Sequence, residues 1–186
     1  MMKVLAIVGS PRKNGNTDVV VQKVLEGAAE AGAETETIYI NDLDFKACQG
    51  CGLCNVMADC KLKDDMTDVY KKLEEADAFV FGSPIYFDQF TGQMRSFLDR
   101  CYALVDAELK PRLPVGKNAV LVRAQGDPNG SMYENVFDEF GNILKLFFGM
   151  TVTDRLVAAG YDLPGSARKD AELMEQAKQA GLHLLD

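Results

Sequence analysis

The stretch VLAIVGSPRKNGNT, residues 4–17, joins an apolar run to a glycine-containing loop and then to a helical pattern. The run Val4–Val8 is continuously apolar, which is typical of a parallel strand that is covered on both faces. Apolar residues then recur at four-residue spacing from Val20 to Ala28, and Gly32 follows as a stop signal. The stretch therefore predicts a strand, a tight turn and a helix over Thr17–Ala31.

The rest of the chain repeats this alternation of strands and helices. Five strands that alternate with five helices predict an α/β fold, in which a doubly wound parallel sheet carries helices on both faces. No repeat or linker interrupts the pattern, so we expect one domain over residues 1–186, with a cysteine-rich loop at about 41–66. The predicted strands are Val4–Val8, Glu36–Ile40, Ala78–Phe81, Asn118–Val122 and Thr153–Ala158, and the later helices are about Thr67–Ala76, Thr91–Val105, Met132–Phe148 and Lys169–Leu184.

Composition excludes several classes of partner. The 186 residues carry a net charge of −8, which disfavours binding to nucleic acid or to an anionic membrane, because either would require a basic patch. No apolar stretch approaches the roughly 20 residues of a membrane span. The five cysteines come without an export signal, so we expect a reducing, cytoplasmic location in which thiols bind metal or carry out redox chemistry.

The loop Gly9–Thr17 has the features of a phosphate-binding site. Its glycines, Gly9 and Gly15, allow a tight turn, and the following helix presents free N–H groups and a positive dipole end. The spacing matches neither the Walker A motif nor the dinucleotide motif G-x-G-x-x-G, so a single phosphomonoester is favoured. A simple helix-capping role for Ser10 or Asn16 is the alternative. The residues that offer donors or positive charge are Ser10, Arg12, Lys13, Asn16 and Thr17.

A second loop, GSPIYF at residues 82–87, follows the third predicted strand. Tyr86 and Phe87 lie where ligands bind in open α/β sheets, at the carboxyl end of a strand. With the strand order 2-1-3-4-5, this loop and the phosphate loop flank one crevice at the switch point. A phosphate pocket beside an aromatic-lined slot fits FMN. Ordinary packing of Tyr86 and Phe87 is the alternative.

Four cysteines fall within CQGCGLCNVMADC, residues 48–60. Four thiolates are ligands for zinc or for an iron–sulfur cluster. The spacing C-x2-C-x2-C is that of bacterial cluster proteins, and the second separated C-x2-C pair of many zinc sites is absent. The cysteines lie in a connection of about 25 residues, and such long loops are usually functional rather than disordered insertions. The predicted ligands are Cys48, Cys51, Cys54 and Cys60.

Together, the two loops and the cysteine motif resemble the flavodoxin-like NADPH-dependent FMN reductase superfamily and, within it, the iron–sulfur flavoproteins. The resemblance is strong over about Lys3–Arg100 and rests on pattern alone beyond it. It implies bound FMN, a [4Fe–4S] cluster and a homodimer or homotetramer. It also implies that Ser10, Arg12, Asn14, Asn16 and Thr17 hold the phosphate, that Pro84, Ile85, Tyr86 and Phe87 hold the isoalloxazine, and that Gly126 belongs to a third flavin loop.

The implied activity is electron exchange between two-electron and one-electron partners, with NAD(P)H as a possible donor and small molecules or proteins as donors or acceptors. Two alternatives remain open: a cluster-free NAD(P)H-dependent FMN or quinone reductase, and a flavodoxin-like scaffold with a structural four-cysteine zinc site. No residue is assigned an acid–base role, because the single histidine, His183, argues against a His-based triad. Asp99 and Arg100 are expected to form weak pairs on a helix surface.

Overall fold

The computed structural model describes residues 1–186, and its centre is a sheet of five parallel strands in the order β2-β1-β3-β5-β6. The predicted α/β class and the order of the parallel strands are confirmed. A two-residue strand, β4, was not predicted; it pairs with β3 in the antiparallel sense and shifts the numbering of the later strands. The strands are β1 (Lys3–Val8), β2 (Glu34–Tyr39), β3 (Ala78–Tyr86), β4 (Gln89–Phe90), β5 (Asn118–Gln125) and β6 (Thr151–Ala159).

Six α-helices surround the sheet. The helix α2 is a single short turn inside the cysteine loop, α1, α3, α4 and α5 connect strands as the alternation predicted, and α6 follows the last strand. None of the helices is both long and apolar enough to cross a lipid bilayer. The helices are α1 (Asn16–Glu30), α2 (Cys54–Met57), α3 (Met66–Glu75), α4 (Gly92–Arg100), α5 (Glu134–Phe148) and α6 (Ala171–Leu182).

The two faces of the sheet bury different kinds of side chain. On one face, small aliphatic residues such as Val4, Ala6 and Val8 pack against α1 and α6. On the other face, Leu5 and Ile7 pack with larger residues that include many aromatic rings, beneath α3, α4 and α5. Successive side chains of a strand point to opposite faces, so the continuous apolar run of β1 supplies both cores.

The structure corrects the end of the third strand. The prediction ended this strand at Phe81 and treated residues 82–87 as a loop, whereas β3 continues to Tyr86. It pairs with β5 as far as Pro84 and then with β4 around a two-residue turn. The turn residues Phe87 and Asp88 have φ angles of 48° and 60°, which match the left-handed backbone of tight hairpin turns.

The cysteine loop leaves the sheet at the carboxyl end of β2. A 3-10 turn over Ile40–Asp42 follows this strand, and α3 begins at Met66. Between them, the chain contains only α2, so the predicted long connection is present with one helical turn inside it. The loop lies on the face of α3 and α4, where Cys54 and Cys60 pack against the aromatic-rich core.

Candidate functional site

The phosphate loop is held against the neighbouring strand at Gly9. The Gly9 N–H donates to the Gly82 carbonyl at 2.8 Å, and the Gly9 carbonyl accepts from the Thr91 hydroxyl at 2.8 Å. A Cβ atom at Gly9 would lie only 2.9 Å from the Cβ of Met94. The glycine is therefore required for close approach between the loop and the start of α4.

The first turn of α1 is open to a ligand. Its N-cap is Gly15, and no side chain caps the helix, so the orphan N–H groups of the first turn remain available. Ser10 is buried beside them, and Arg12 is exposed at the rim. An uncapped helix N-terminus with an adjacent guanidinium is suited to bind a phosphate group.

A crevice of about 210 Å³ connects this loop to the carboxyl ends of β3, β5 and β6. It brings together most of the residues that the sequence assigned to the cofactor. Its lining consists of Ser10, Arg12, Gly15, Asn16, Thr17, Pro84, Ile85, Tyr86, Ala124, Gln125, Gly126 and Tyr161.

Two of the assigned residues lie outside this crevice. Asn14 is exposed, has a φ of 59°, and its N–H donates to Asp18 at 2.6 Å. Phe87 is fully exposed at the tip of the hairpin between β3 and β4. The structure therefore does not bring either side chain to the remaining candidates, and their cofactor contacts stay predictions.

The side chain of Asn16 is already occupied by hydrogen bonds. Its amide donates to the carbonyls of Tyr161 and Leu163, at 3.3 and 3.1 Å, and its carbonyl oxygen accepts from the Ala167 N–H at 3.1 Å. Asn16 therefore ties the start of α1 to the connection between β6 and α6. Its backbone N–H, rather than its side chain, is the group placed to meet a phosphate.

The sequence placed Gln125 only within the segment of a third flavin loop, Gln125-Gly126-Asp127, and missed Tyr161. The Gln125 amide donates to the carbonyls of Asp127 and Asn129, and its buried carbonyl oxygen has no partner. Burial, followed by a hydrogen bond to Asp170, raises the pKa of Tyr161 to about 12, so its hydroxyl stays protonated at neutral pH. Their positions at the carboxyl ends of β5 and β6 were the signal that could have identified them.

The four clustered cysteines line a separate cavity of about 180 Å³. Gly50 and Gly52 have φ angles of 61° and 69°, so the segment that carries Cys48, Cys51 and Cys54 reverses direction through left-handed backbone that favours glycine. All four thiols are free, and burial raises the pKa of Cys54 above its ordinary value. The other lining residues are Gln49, Gly50, Gly52, Asn55, Lys61, Leu62, Arg100, Tyr102 and Ala103.

A buried arginine forms part of the cavity wall, contrary to the surface position expected for Arg100. Its side chain is 1% exposed and forms a bidentate pair with Asp64, with N–O distances of 2.7 and 2.9 Å. Its Nη2 also donates to the Cys60 sulfur at 3.6 Å. The helical pattern alone could not reveal this position, because the long loop that covers Arg100 has no periodic signal.

The four cysteines that line the cavity are a set of thiol donors for a metal-containing group. No three His, Cys, Asp or Glu side chains in the structure are arranged to hold a single metal ion. Four Zn–S bonds of about 2.3 Å would need the sulfurs to converge on one point. Four separate thiolates around a cavity suit a cluster in which each sulfur binds its own iron. The chemistry of the four thiols therefore fits the implied cluster, and the same donors are also ligands for zinc.

The chain has relatives among known proteins. The profile of the family described as NADPH-dependent FMN reductase matches residues 2–162. An iron–sulfur flavoprotein of Methanocaldococcus jannaschii is 34% identical over 187 residues, which cover 97% of this chain and 94% of that protein. An iron–sulfur flavoprotein of Archaeoglobus fulgidus is 42% identical over 99 residues, covering 53% of this chain and 48% of the relative.

The fold has close counterparts among solved structures. An NAD(P)H:quinone oxidoreductase from Methanothermobacter marburgensis superposes with a TM-score of 0.76 at 20% sequence identity. The superposition covers 100% of this chain and 96% of the other. At this identity the likeness establishes the shared fold alone.

Proposed function

The chain belongs to the NADPH-dependent FMN reductase family and is an FMN-dependent oxidoreductase; we propose that it also holds a [4Fe–4S] cluster and exchanges electrons between two-electron and one-electron partners. The observation that carries the proposal is the cavity lined by Cys48, Cys51, Cys54 and Cys60. The relatives named iron–sulfur flavoproteins support the same assignment.

FMN would occupy the crevice between the phosphate loop and the ends of β3, β5 and β6. The uncapped N-terminus of α1, the Ser10 hydroxyl and the Arg12 guanidinium would bind the phosphate. Pro84, Ile85 and Tyr86 would contact the isoalloxazine from the end of β3. The unpartnered Gln125 carbonyl oxygen would accept a hydrogen bond from the bound cofactor, because a buried acceptor without a partner is costly.

The four cysteines would hold the cluster as thiolates. Bound FMN supplies two-electron or one-electron chemistry, and a [4Fe–4S] cluster supplies a one-electron site, so the pair can connect donors and acceptors of different electron number. The protein contributes the thiolates, the partial burial of Cys54 and Cys60, and the neighbouring positive charge of Arg100. NAD(P)H is the proposed two-electron donor, and a small molecule or protein is the one-electron partner.

Anaerobic purification followed by counts of FMN, iron, sulfide and zinc tests the proposal. We expect FMN together with about four irons and four sulfides per chain, since this is the composition of the cluster. FMN without iron and sulfide would instead identify a cluster-free flavin or quinone reductase. Zinc without iron would identify a structural four-cysteine site.

Substitution of one thiol tests the ligand assignment. We expect Cys54→Ser to abolish the visible absorption and electron paramagnetic resonance of the cluster, because a hydroxyl is a poor ligand for iron. FMN content should stay unchanged, since Cys54 does not line the FMN crevice. The matched control is Cys101→Ala: this thiol is buried but outside the cysteine cavity, so both cofactors should be retained. Unchanged iron in Cys54→Ser would refute the assignment.

The expected homodimer or homotetramer remains part of the proposal. Its support is an apolar groove of about 550 Å³, which shares Cys48, Gly50 and Tyr102 with the cysteine cavity and includes Leu109 and Phe147. A second chain in this groove would cover exposed apolar surface beside the cysteines. Light scattering coupled to size exclusion should give a mass of two or four chains, and a mass of one chain would refute this part of the proposal.

A further inference from the structure

Arg100 is the most deeply buried residue that lines the cysteine cavity. It is the last residue of α4, and its side chain is almost fully enclosed by the loop over residues 43–65. Besides the pair with Asp64, its Nη1 donates to the Lys46 carbonyl at 2.6 Å. Both ends of the loop are therefore attached to one guanidinium, and Cys60 is fixed between them.

The Asp64 carboxylate is held equally firmly. It accepts from the backbone N–H groups of Lys46 and Met66, each at 3.2 Å, in addition to its contacts with Arg100. The hydrogen bond from Arg100 is the main reason that the pKa of Asp64 lies below its ordinary value. The carboxylate is therefore charged at neutral pH, and the pair consists of two full charges.

Structural stability alone does not account for this pair. A buried ion pair contributes little to stability when its desolvation is counted, and an apolar replacement is often as stable. The Nε of Arg100 is also buried without a partner, which adds a further cost. An arginine donates to a sulfur here, and hydrogen bonds to sulfur and local charge are what set the potential of a thiolate-held cluster.

We propose that Arg100 and Asp64 form a positioning pair that fixes Cys60 and sets the reduction potential of the group held by the four cysteines. The proposal rests on the proposed cluster and goes beyond it, because it assigns a role to residues that are not ligands. The positive charge of Arg100 stabilises the reduced form of the bound group, which is the more negative one, and so raises its reduction potential. Asp64 carries a negative charge and is paired with the Arg100 guanidinium, so it limits that increase in the reduction potential.

The charges of Arg100 and Asp64 predict that their removal shifts the midpoint potential in opposite directions. In Arg100→Met, the cation and the N–H donor to Cys60 are both lost, so the midpoint potential should fall. In Asp64→Asn, the anion is lost while an oxygen that can accept hydrogen bonds remains, so the potential should rise. A purely structural pair would not produce opposite shifts, since both variants would only loosen the loop.

The experiment is an anaerobic redox titration of the reconstituted full chain, followed by the electron paramagnetic resonance of the reduced cluster. Iron and sulfide are counted in each variant beforehand. Arg100→Lys keeps the charge but loses the fork-shaped contact with Asp64, so its potential should lie between those of the wild type and Arg100→Met. If Arg100→Met holds no iron, the test becomes the midpoint potential of Arg100→Lys, which should be lower than that of the wild type.

Arg123→Met is the matched control. Arg123 is equally buried and also has an unpartnered Nε, but it lies on β5, away from the cysteine cavity. Its loss should reduce stability without moving the potential. Potentials that are unchanged, or that move in the same direction in Arg100→Met and Asp64→Asn, would overturn the inference while leaving the cluster intact. A wild-type chain without iron and sulfide would instead overturn the proposed function and this inference together.

Discussion

At the scale of single residues, two adjacent cations have different surroundings. Arg12 lines the crevice at the carboxyl ends of the strands, whereas Lys13 forms an ion pair with Asp42 at 2.6 Å and lies 4.8 Å from the centre of the Tyr39 ring. The sequence pattern assigns both side chains to the positive charge of a phosphate loop. The structure separates them, because adjacent residues of a turning backbone point in different directions.

This difference gives a paired prediction for FMN binding. Arg12→Ala should weaken the affinity of the apoprotein for FMN by roughly 1.5–3 kcal/mol, the contribution of a hydrogen bond to a charged group. Lys13→Ala should leave the affinity nearly unchanged. Titration of FMN fluorescence measures both, and equal losses in the two variants would show that only general positive charge matters.

At the scale of secondary-structure elements, the connection between β6 and α6 supports the phosphate loop. Asn16 fastens this connection to α1 through three hydrogen bonds, and Asp170 caps α6 by accepting from the Leu173 N–H at 3.0 Å. The Tyr161 hydroxyl donates to the same carboxylate at 2.5 Å. The crevice wall formed by Tyr161 therefore depends on two polar residues at helix starts.

The contacts of Asn16 predict a stabilising role for its side chain. Asn16→Ala should lower the free energy of unfolding of the apoprotein by about 1–3 kcal/mol, since backbone groups lose their partners. Asn142→Ala, an exposed change on α5, is the control and should have little effect. Urea denaturation measures both variants, and equal stabilities would contradict the role assigned to Asn16.

The cap of α6 predicts a dependence of stability on pH. Hydrogen bonds from the Leu173 N–H and from Tyr161 lower the pKa of Asp170 below its ordinary value of 3.8. The charged cap therefore stabilises the fold above about pH 4, and this contribution is lost as the pH falls through the lowered pKa. Asp170→Ala should cost about 1 kcal/mol at pH 7.

Urea denaturation of the wild type and of Asp170→Ala over a range of pH tests this dependence. The difference in unfolding free energy should stay constant near neutral pH and narrow under acid conditions. A difference that is independent of pH down to about pH 2 would show that the charge of Asp170 is irrelevant to the cap.

At the scale of the whole molecule, α1 and α6 pack closely enough for their backbones to touch. A Cβ atom at Gly181 would lie 1.9 Å from the Val24 carbonyl oxygen, and one at Gly27 would lie 2.1 Å from the Lys178 carbonyl oxygen. These two glycines allow α6 to close one face of the sheet. The opposite face supports the cysteine loop, so the two cores serve different sites.

Close packing at Gly181 gives a prediction for global stability. Gly181→Ala should destabilise the fold by about 3 kcal/mol or more, because rigid backbone rather than a flexible side chain occupies the space. Gly92→Ala is the matched control: it also lies in a helix, but nothing lies within 4 Å of its added Cβ. Thermal unfolding of both variants checks the prediction, and a small effect at Gly181 would contradict the close helix contact.

The sequence was sufficient to predict the alternation of strands and helices, the order of the parallel strands, the candidate phosphate loop and the four-cysteine motif. These are local patterns. In an open parallel sheet, ligands bind at the carboxyl ends of the strands, so the loops that follow those strands are expected to form one crevice. The tertiary structure was needed to show that Arg100 is buried against Asp64 and Cys60, that Asn14 and Phe87 lie outside the crevice, and that Tyr161 lines it. These positions depend on contacts between residues that are far apart in the chain. The periodicity of apolar residues within a single helix or strand contains no information about such contacts.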